Sequence, residues 1–389
     1  MPEDALPPAD YNGLREARPG LPRERYTSDQ AFRDDLEKIW YRHWIYACHE
    51  SDLAQPLQFK VTEIGDQSVI LLRDAEGALR AYHNVCRHRG AKLCPQGEGQ
   101  LKAKALTCPY HSWTYGLDGR LRRVPSRWTP ADFQKADFGL YPVALKEWRG
   151  LVFINLEGAE THSLDDSFGR YPDALAAWPL EDLRVTRRYS KVMACNWKLF
   201  WENFNECLHC PNLHPQLSQV VPIYGRGLIN PKDAHDWQKT EASPEPRYQG
   251  GLAAGAATWS VEGAAQAVTF PDLSDEDRAR GQTYAVSLPS CFVVGHVDYM
   301  RIVRLRPLDP TQTLLEAEWL FPEEALARPD FDPTPQVDFA ITVLEQDAWA
   351  CEINQQGLAA RPFQQGVLMP EEYYLAEFHD WYRGALGDV

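Results

Sequence analysis

Apolar positions change their period several times along the chain, and each change marks an element. Ser28 has the side chain of an N-cap. Phe32, Leu36, Ile39 and Trp40 follow at helical spacing, which predicts a helix running to about Trp44. From Gln58 to Val85 the pattern is that of short strands: Val69-Ile-Leu-Leu72 is a buried run, Asp74-Ala-Glu-Gly77 a turn, and Leu79 to Tyr82 the strand after it. Gly116, Asp118 and Gly119 signal another hairpin, and Leu151-Val-Phe-Ile154 a last strand ended by Glu157-Gly158. A first domain boundary falls near residue 160.

Beyond it, Arg184 to Met193 reads as a strand rich in β-branched and basic residues. Asn196 to Cys210 predicts a helix, with Trp197, Phe200, Trp201 and Phe204 as its apolar stripe. Glu202, Glu206 and His209, spaced four and three apart, would share one face of it. Residues 225 to 281 are rich in Gly, Ala and polar groups, and fit either a lid over a pocket or a loose insertion. Strand patterns return at Tyr284 to Leu288, Cys291 to Val294, Ile302 to Leu305 and Leu314 to Leu320. Val337 to Gln356 is a second long helix, carrying Glu345, Asp347 and Glu352. No internal repeat is present.

Bulk properties narrow the function. The 389 residues suffice for two domains, and 13 tryptophans and 15 phenylalanines can fill their cores. A formal net charge of −15 argues against nucleic-acid binding, which needs a basic face. The start, Met1 to Asp10, is acidic and proline-rich and lacks the apolar region of a signal peptide, and no apolar run approaches a membrane span. Nine cysteines, an odd number, suggest reduced thiols and cluster ligands rather than a disulfide framework, and hence a cytoplasmic protein.

Two cysteine–histidine pairs carry the chemistry. Cys86-Arg-His88 and Cys108-Pro-Tyr-His111 are separated by residues 89 to 107. Two thiolates and two imidazoles suit a [2Fe-2S] cluster in which cysteines hold one iron and histidines the other, which raises its reduction potential. Zinc is the competing reading, but zinc sites normally pair Cys with Cys and His with His, whereas each half here supplies one of each. A second group, Glu206-x-x-His209-x-x-x-x-His214, offers two histidines five residues apart, so a helix should end between them, as Pro211 suggests. Two histidines and a carboxylate on one face of iron(II) leave positions open for O₂ and substrate. Asp347 is the carboxylate chosen, with Glu345, on roughly the opposite side of its helix, ranked second.

The flanking Arg-His-Arg-Gly90 and Pro-Tyr-His-Ser-Trp113 resemble the Rieske domain of the Rieske non-haem iron oxygenases. Glu206, His209 and His214 match that family's acid-x-x-His-x-x-x-x-His pattern, and Asp347, Glu352 and Gln355-Gln-Gly357 match its downstream ligand segment. The resemblance implies an α+β chain, with an all-β Rieske iron–sulfur domain and a helix-grip (START-like) catalytic domain built on a curved antiparallel sheet. In residue terms that is an N-terminal helical segment at 1–44, a Rieske domain at 45–160 and a catalytic domain at 161–389. It further implies a homotrimer in which Glu206 links His209 to His111 or His88 of the next protomer, although the family's aromatic-ring dioxygenases usually carry Asp there.

Glu206-Cys-Leu-His-Cys210 and the closing His214-Pro215, with Glu377-Phe-His-Asp-Trp-Tyr382, are similar to the family branch that oxidises quaternary ammonium compounds such as glycine betaine, carnitine and stachydrine. Hydroxylation or N-demethylation of such a substrate needs a cation–π cage and a group to hold any carboxylate. Trp237, Trp259, Tyr284, Phe292 and Tyr299 are candidates for the cage. Arg301 and Arg304 are candidates for the carboxylate and are left unassigned. With no GxGxxG loop and no plant-type four-cysteine pattern, the chain should need a separate flavin or iron–sulfur reductase. Two rival readings stand beside this one: the same enzyme class acting on an aromatic substrate, and a Rieske electron carrier without catalysis.

Overall fold

A computed structural model describes residue 11 and residues 13–158, 162–168 and 172–387. The expected boundary near residue 160 and the proline-rich start at residues 1–10 lie outside these. Two antiparallel sheets form the part that carries both Cys–His pairs: one in the order Leu79–His83, Gln67–Arg73, Gln58–Ile64, Glu98–Gln100, the other Ala105–Thr107, Thr114–Gly116, Leu121–Arg123. The apolar run in Gln67–Arg73 is continuous because both its faces are buried. Ile70 and Leu72 pack with Cys86 and Cys108 in a small core, while Val69 and Leu71 join the main core of the molecule.

The second half is built on a five-stranded antiparallel sheet in the order Leu183–Met193, Gln312–Pro322, Met300–Asp309, Cys291–His296, Gln282–Ser287. Its strands too are covered on both sides. Phe292, Val294, Val303, Leu315 and Ala317 face the helices. Cys291, Val293, Met300, Ile302 and Leu320 pack on Trp44, Tyr46, Leu151 and Phe153 from a third sheet, Ala144–Trp148, Leu151–Asn155, Ile45–His49. That third sheet joins the two halves. Residues 225–281, with short helices such as Asp275–Arg280, form neither a strand nor a free insertion: Leu252 and Trp259 pack with Leu217, Val221, Phe339 and Val343, so the segment is a wall of the catalytic half. No described helix is long and apolar enough to cross a membrane.

The helices depart from expectation in one place that matters. Ser28 does cap the first long helical stretch, accepting from Gln30 N at 3.1 Å and Ala31 N at 3.3 Å, and that stretch runs through Asp29–Asp35 and Leu36–Trp40. The helix expected from Asn196 to Cys210 is shorter. It spans Trp197–Phe204 and stops because Asn205 turns back, its Nδ2 donating to Trp201 O at 2.7 Å. Pro211 therefore does not end that helix; it sits in the first turn of the next, Cys210–Leu213, where a missing N–H costs nothing. Glu202, Glu206 and His209 do not share a helical face. Glu202 instead accepts from Tyr26 Oη at 2.6 Å and lies 2.8 Å from His379 Nε2 on the C-terminal helix Tyr373–Leu386.

A buried ion pair fixes the site helix. Lys198 Nζ and Asp35 Oδ2 are 2.5 Å apart, both side chains fully shielded from water. Trp197 Nε1 donates to the same carboxylate at 2.9 Å, and Tyr382 Oη at 2.7 Å. Asp35→Ala would strand a buried ammonium, and is expected to cost about 3–5 kcal/mol of stability. Replacing both residues by apolar ones should cost far less. Denaturant unfolding of the two variants checks this.

Candidate active site

The two Cys–His loops share a local design. Gly90 N donates to Cys86 O at 3.0 Å, and Ser112 N to Cys108 O at 3.0 Å. The fourth residue after each cysteine therefore turns through the left-handed region, at φ +75° for Gly90 and φ +56° for Ser112. Each cysteine is buried, whereas His88 is exposed and His111 half-buried. The thiols thus lie inward and the imidazoles at the surface, with ring centroids 4.8 Å apart. Tyr115 Oη accepts from Arg87 N at 3.1 Å, which leaves its own proton for Cys86 Sγ at 3.2 Å. A hydroxyl donated to sulfur favours thiolate and tunes a cluster's potential. The sequence reading did not find Tyr115, since a tyrosine in a strand carries no such signal. These residues fit a cluster with unlike iron ligands.

In the catalytic half, the turn after the shortened helix does the positioning. Glu206 Oε2 accepts from Leu208 N and from His209 N, and its other oxygen lies 2.5 Å from His209 Nδ1. Cys207 and Cys210 form a disulfide across this turn, contrary to the expectation of reduced thiols throughout: residues three apart in a tight turn stand 5.0 Å apart at Cα, within bonding reach. The other seven cysteines are free.

The long helix Thr334–Leu358 supplies the third group. Asp347 Oδ1 lies 2.9 Å from His214 Nε2 and 3.5 Å from His209 Nε2. Glu345 points elsewhere, to Lys191 Nζ at 2.6 Å and to Tyr189 Oη. Glu352 and Gln355 clamp the helix to the start of the site helix, accepting from Ala194 N at 3.2 Å and Asn196 N at 2.8 Å. Gln346, which the sequence reading missed, lies 2.8 Å from His214 Nδ1 through its Oε1.

These contacts set the chemistry. If each Nδ1–H donates outward, to Glu206 and to Gln346, each neutral imidazole presents only a lone pair at Nε2. Those lone pairs face a carboxylate oxygen, acceptor against acceptor, and the arrangement requires a cation. Burial alone would lower the His209 pKa, but hydrogen bonds to Asp347 and Glu206 outweigh it and carry it up to about 9. Two imidazoles and one carboxylate converging in this way fit iron(II). Cys210 Sγ, 3.7 Å from His209 Nε2, is not a competing ligand while bonded to Cys207. Beside the triad opens a cleft of about 120 Å³, walled by Phe200, Phe204, Tyr224, Trp259, Tyr284 and Phe292. Of the expected aromatics, Tyr299 packs behind Trp259, bonding its carbonyl at 3.0 Å, and Trp237 does not line the cleft. The electron-carrier reading predicts that Glu206, His209, His214 and Asp347 bind no metal; the structure brings His209, His214 and Asp347 together with Glu206 beside His209, an arrangement that suits one.

Fold and site together define a Rieske-type oxygenase. Residues 43–134 match the Rieske [2Fe-2S] domain, and residues 180–388 match the ring hydroxylating alpha subunit (catalytic domain). The chain belongs to this ring-hydroxylating alpha-subunit family, whose two domains carry a [2Fe-2S] cluster and a mononuclear iron. It is similar to the glycine betaine monooxygenase oxygenase subunit of Chromohalobacter salexigens, 29% identical over 96% of this chain and 87% of that one. It is also similar to the carnitine monooxygenase oxygenase subunit of Escherichia coli, 36% identical over 52% of this chain and 54% of that one. The fold matches the quaternary ammonium Rieske monooxygenase CntA in complex with L-carnitine, at a TM-score of 0.72 and 22% identity over 98% of this chain and 99% of that one.

Asp347→Ala is expected to lose the mononuclear iron while keeping the Rieske absorption, read by iron analysis and visible spectroscopy. Because His209 is protonated below about 9 in the metal-free protein, iron(II) must displace that proton. Binding near neutrality should release a proton, and affinity should climb with rising pH, by about tenfold per unit, until that pKa is passed. Calorimetric titrations in buffers of different ionisation enthalpy check this.

Proposed function

We propose that this chain is the terminal oxygenase of a two-component system that hydroxylates or N-demethylates a small quaternary ammonium substrate. The observation that carries the reading is the cleft itself. Six aromatic rings wall it, and such ring faces attract an onium cation. The betaine and carnitine oxygenases that this chain resembles lend support.

Cys86 and Cys108 would hold the inner iron of the cluster, His88 and His111 the outer one, and His209, His214 and Asp347 the mononuclear iron. When bound, these groups deliver single electrons and activate dioxygen. The protein's share is to orient and to exclude water. Glu206 and Gln346 fix both histidine rings, and the aromatic walls hold the alkylated nitrogen and keep the site dry. Hydroxylation of an N-methyl group would give a hemiaminal that collapses to formaldehyde and the demethylated amine.

Electrons would come from a separate reductase. Among the described residues no hydrogen bond or ion pair joins the Rieske loops to residues 203–214 or to Asp347, which supports a path between protomers of a homotrimer. His88 and His111 lie at a surface groove with Trp128, which is 82% exposed, a face suited to a neighbouring copy. Glu206 would form the link from His209 to that neighbour. Domain limits near residues 45 and 160 and a cytoplasmic setting complete the proposal.

Anaerobic, iron-replete protein with a reduced cluster, mixed with O₂ and a betaine, should yield formaldehyde in one turnover. No product from any quaternary ammonium compound, with both metals present, would refute the reading. Glu206→Ala should keep both metals yet slow cluster reoxidation by about 100-fold or more, by analogy with other supporting contacts to metal ligands. Stopped-flow absorbance reads this rate.

A further inference from the structure

The cleft contains one charge that the reaction does not explain. In the five-stranded sheet, Tyr284, Val294, Arg301 and Trp319 stand opposite one another on four successive strands, in a single row on the face towards the helices. Tyr284 and Val294 line the cleft, and so does Arg301. A guanidinium is thus set into an otherwise apolar row, 5% exposed.

Its neighbours along the chain are all neutralised. Arg304 Nε pairs with Glu316 at 2.8 Å and its Nη1 donates to Ala47 O at 2.6 Å. Arg306 shares Glu316 at 2.9 Å. Arg301 has no ion pair and no hydrogen bond among the described residues, and its Nε is buried without a partner. The nearest acid acting on it is Asp347, which is already committed to His209 and His214. A second donor is orphaned in the same cleft: Nε1 of Trp259 is also buried and unpartnered. Buried polar groups are nearly always satisfied, and a buried charge without a counter-ion is costly. Two buried donors on residues that line one cleft, each without a hydrogen-bond partner, suit an anion with at least two acceptor oxygens.

We infer that Arg301, assisted by Nε1 of Trp259, is the carboxylate anchor of the cleft, and selects zwitterionic betaines over quaternary amines without a carboxylate. This rests on the quaternary ammonium reading and adds to it the second pole of the substrate. The onium group sits among the aromatic rings, and the carboxylate at Arg301. Arg304 is excluded, because Glu316 and Ala47 occupy its donors.

The test is equilibrium binding by calorimetry to the anaerobic holoenzyme, with glycine betaine and carnitine set against choline and tetramethylammonium. Wild type is expected to bind at least one zwitterion roughly 30-fold or more tightly than either carboxylate-free cation, the scale of a buried charge pair. Arg301→Met should remove that preference, weakening the zwitterion by a similar factor while leaving choline within about threefold, with iron content and Rieske spectrum unchanged. Trp259→Phe, which removes the N–H together with the pyrrole part of the ring, should weaken the zwitterion roughly threefold to tenfold more than it weakens choline. Arg301→Lys should restore part of the preference. Equal binding of betaine and choline by wild type would overturn the anchor and leave the quaternary ammonium reading standing. Equal weakening of both by Arg301→Met, or loss of iron from that variant, would overturn it in favour of a role in supporting Asp347. Binding of neither class would refute the quaternary ammonium reading, and the anchor with it.

Discussion

The ion pair between Asp35 and Lys198 holds the geometry on which the rest depends. Two full charges out of contact with water carry a large desolvation cost, and burial alone pulls the Lys198 pKa down. The pair persists because Trp197 and Tyr382 add hydrogen bonds to the same carboxylate. Its consequence is positional. An N-terminal helix, the site helix and the C-terminal helix meet at one carboxylate, and a rotation of the site helix would break both of its contacts to Asp35 together. Glu202 repeats the device one turn along, between Tyr26 and His379. The C-terminal segment shared with the quaternary ammonium branch thus acts through support, holding the helix whose end places Glu206 and His209.

Electrostatic demand is divided between the two metal centres in different ways. In the Rieske loops the thiols are inside and the imidazoles at the surface, so the electron-accepting face is the exposed one. In the catalytic half the order reverses: His214 and Asp347 are deep, and Glu206 stands between His209 and the outer turn. Against the lowering effect of burial, the carboxylates of Asp347 and Glu206 raise the His209 pKa to about 9, so a positive charge is favoured among them. A rigid frame that opposes acceptors in this way is preorganised for metal, because no ligand has to move to meet it.

Much of this was legible in the sequence, for reasons that differ by residue. Cys86, His88, Cys108 and His111 stood out because all four lie on two short loops at fixed spacing. The strands were readable from their apolar runs, with the main core on one side of Val69–Leu72 and the cluster core on the other. The end of the site helix was not, because it depends on a single amide, Asn205, turning back on Trp201. Gln346, Tyr115 and the Cys207–Cys210 bond were equally hidden: each matters only through a partner that the fold brings to it. Arg301 and Arg304 show the limit most clearly. They are three apart on one strand, chemically identical, and sequence gave no reason to separate them. Their side chains lie on opposite faces of the sheet, so one meets Glu316 and the other meets the cleft.

That separation bears on how specificity can arise in a site whose walls are mostly aromatic. Aromatic faces attract any onium group, and they discriminate poorly between one alkylated nitrogen and another. A fixed, buried donor set discriminates sharply, because a ligand lacking the matching acceptor leaves those donors unpaired while still displacing their water. The desolvation of Arg301 has already been met by folding, so it does not have to be met again on binding. Placing the charge on a sheet strand rather than on a loop also fixes the distance between the two poles of the cleft. The span from onium to carboxylate then becomes a property of the β-sheet register, and substrates of different chain length would present different carbons to the metal end.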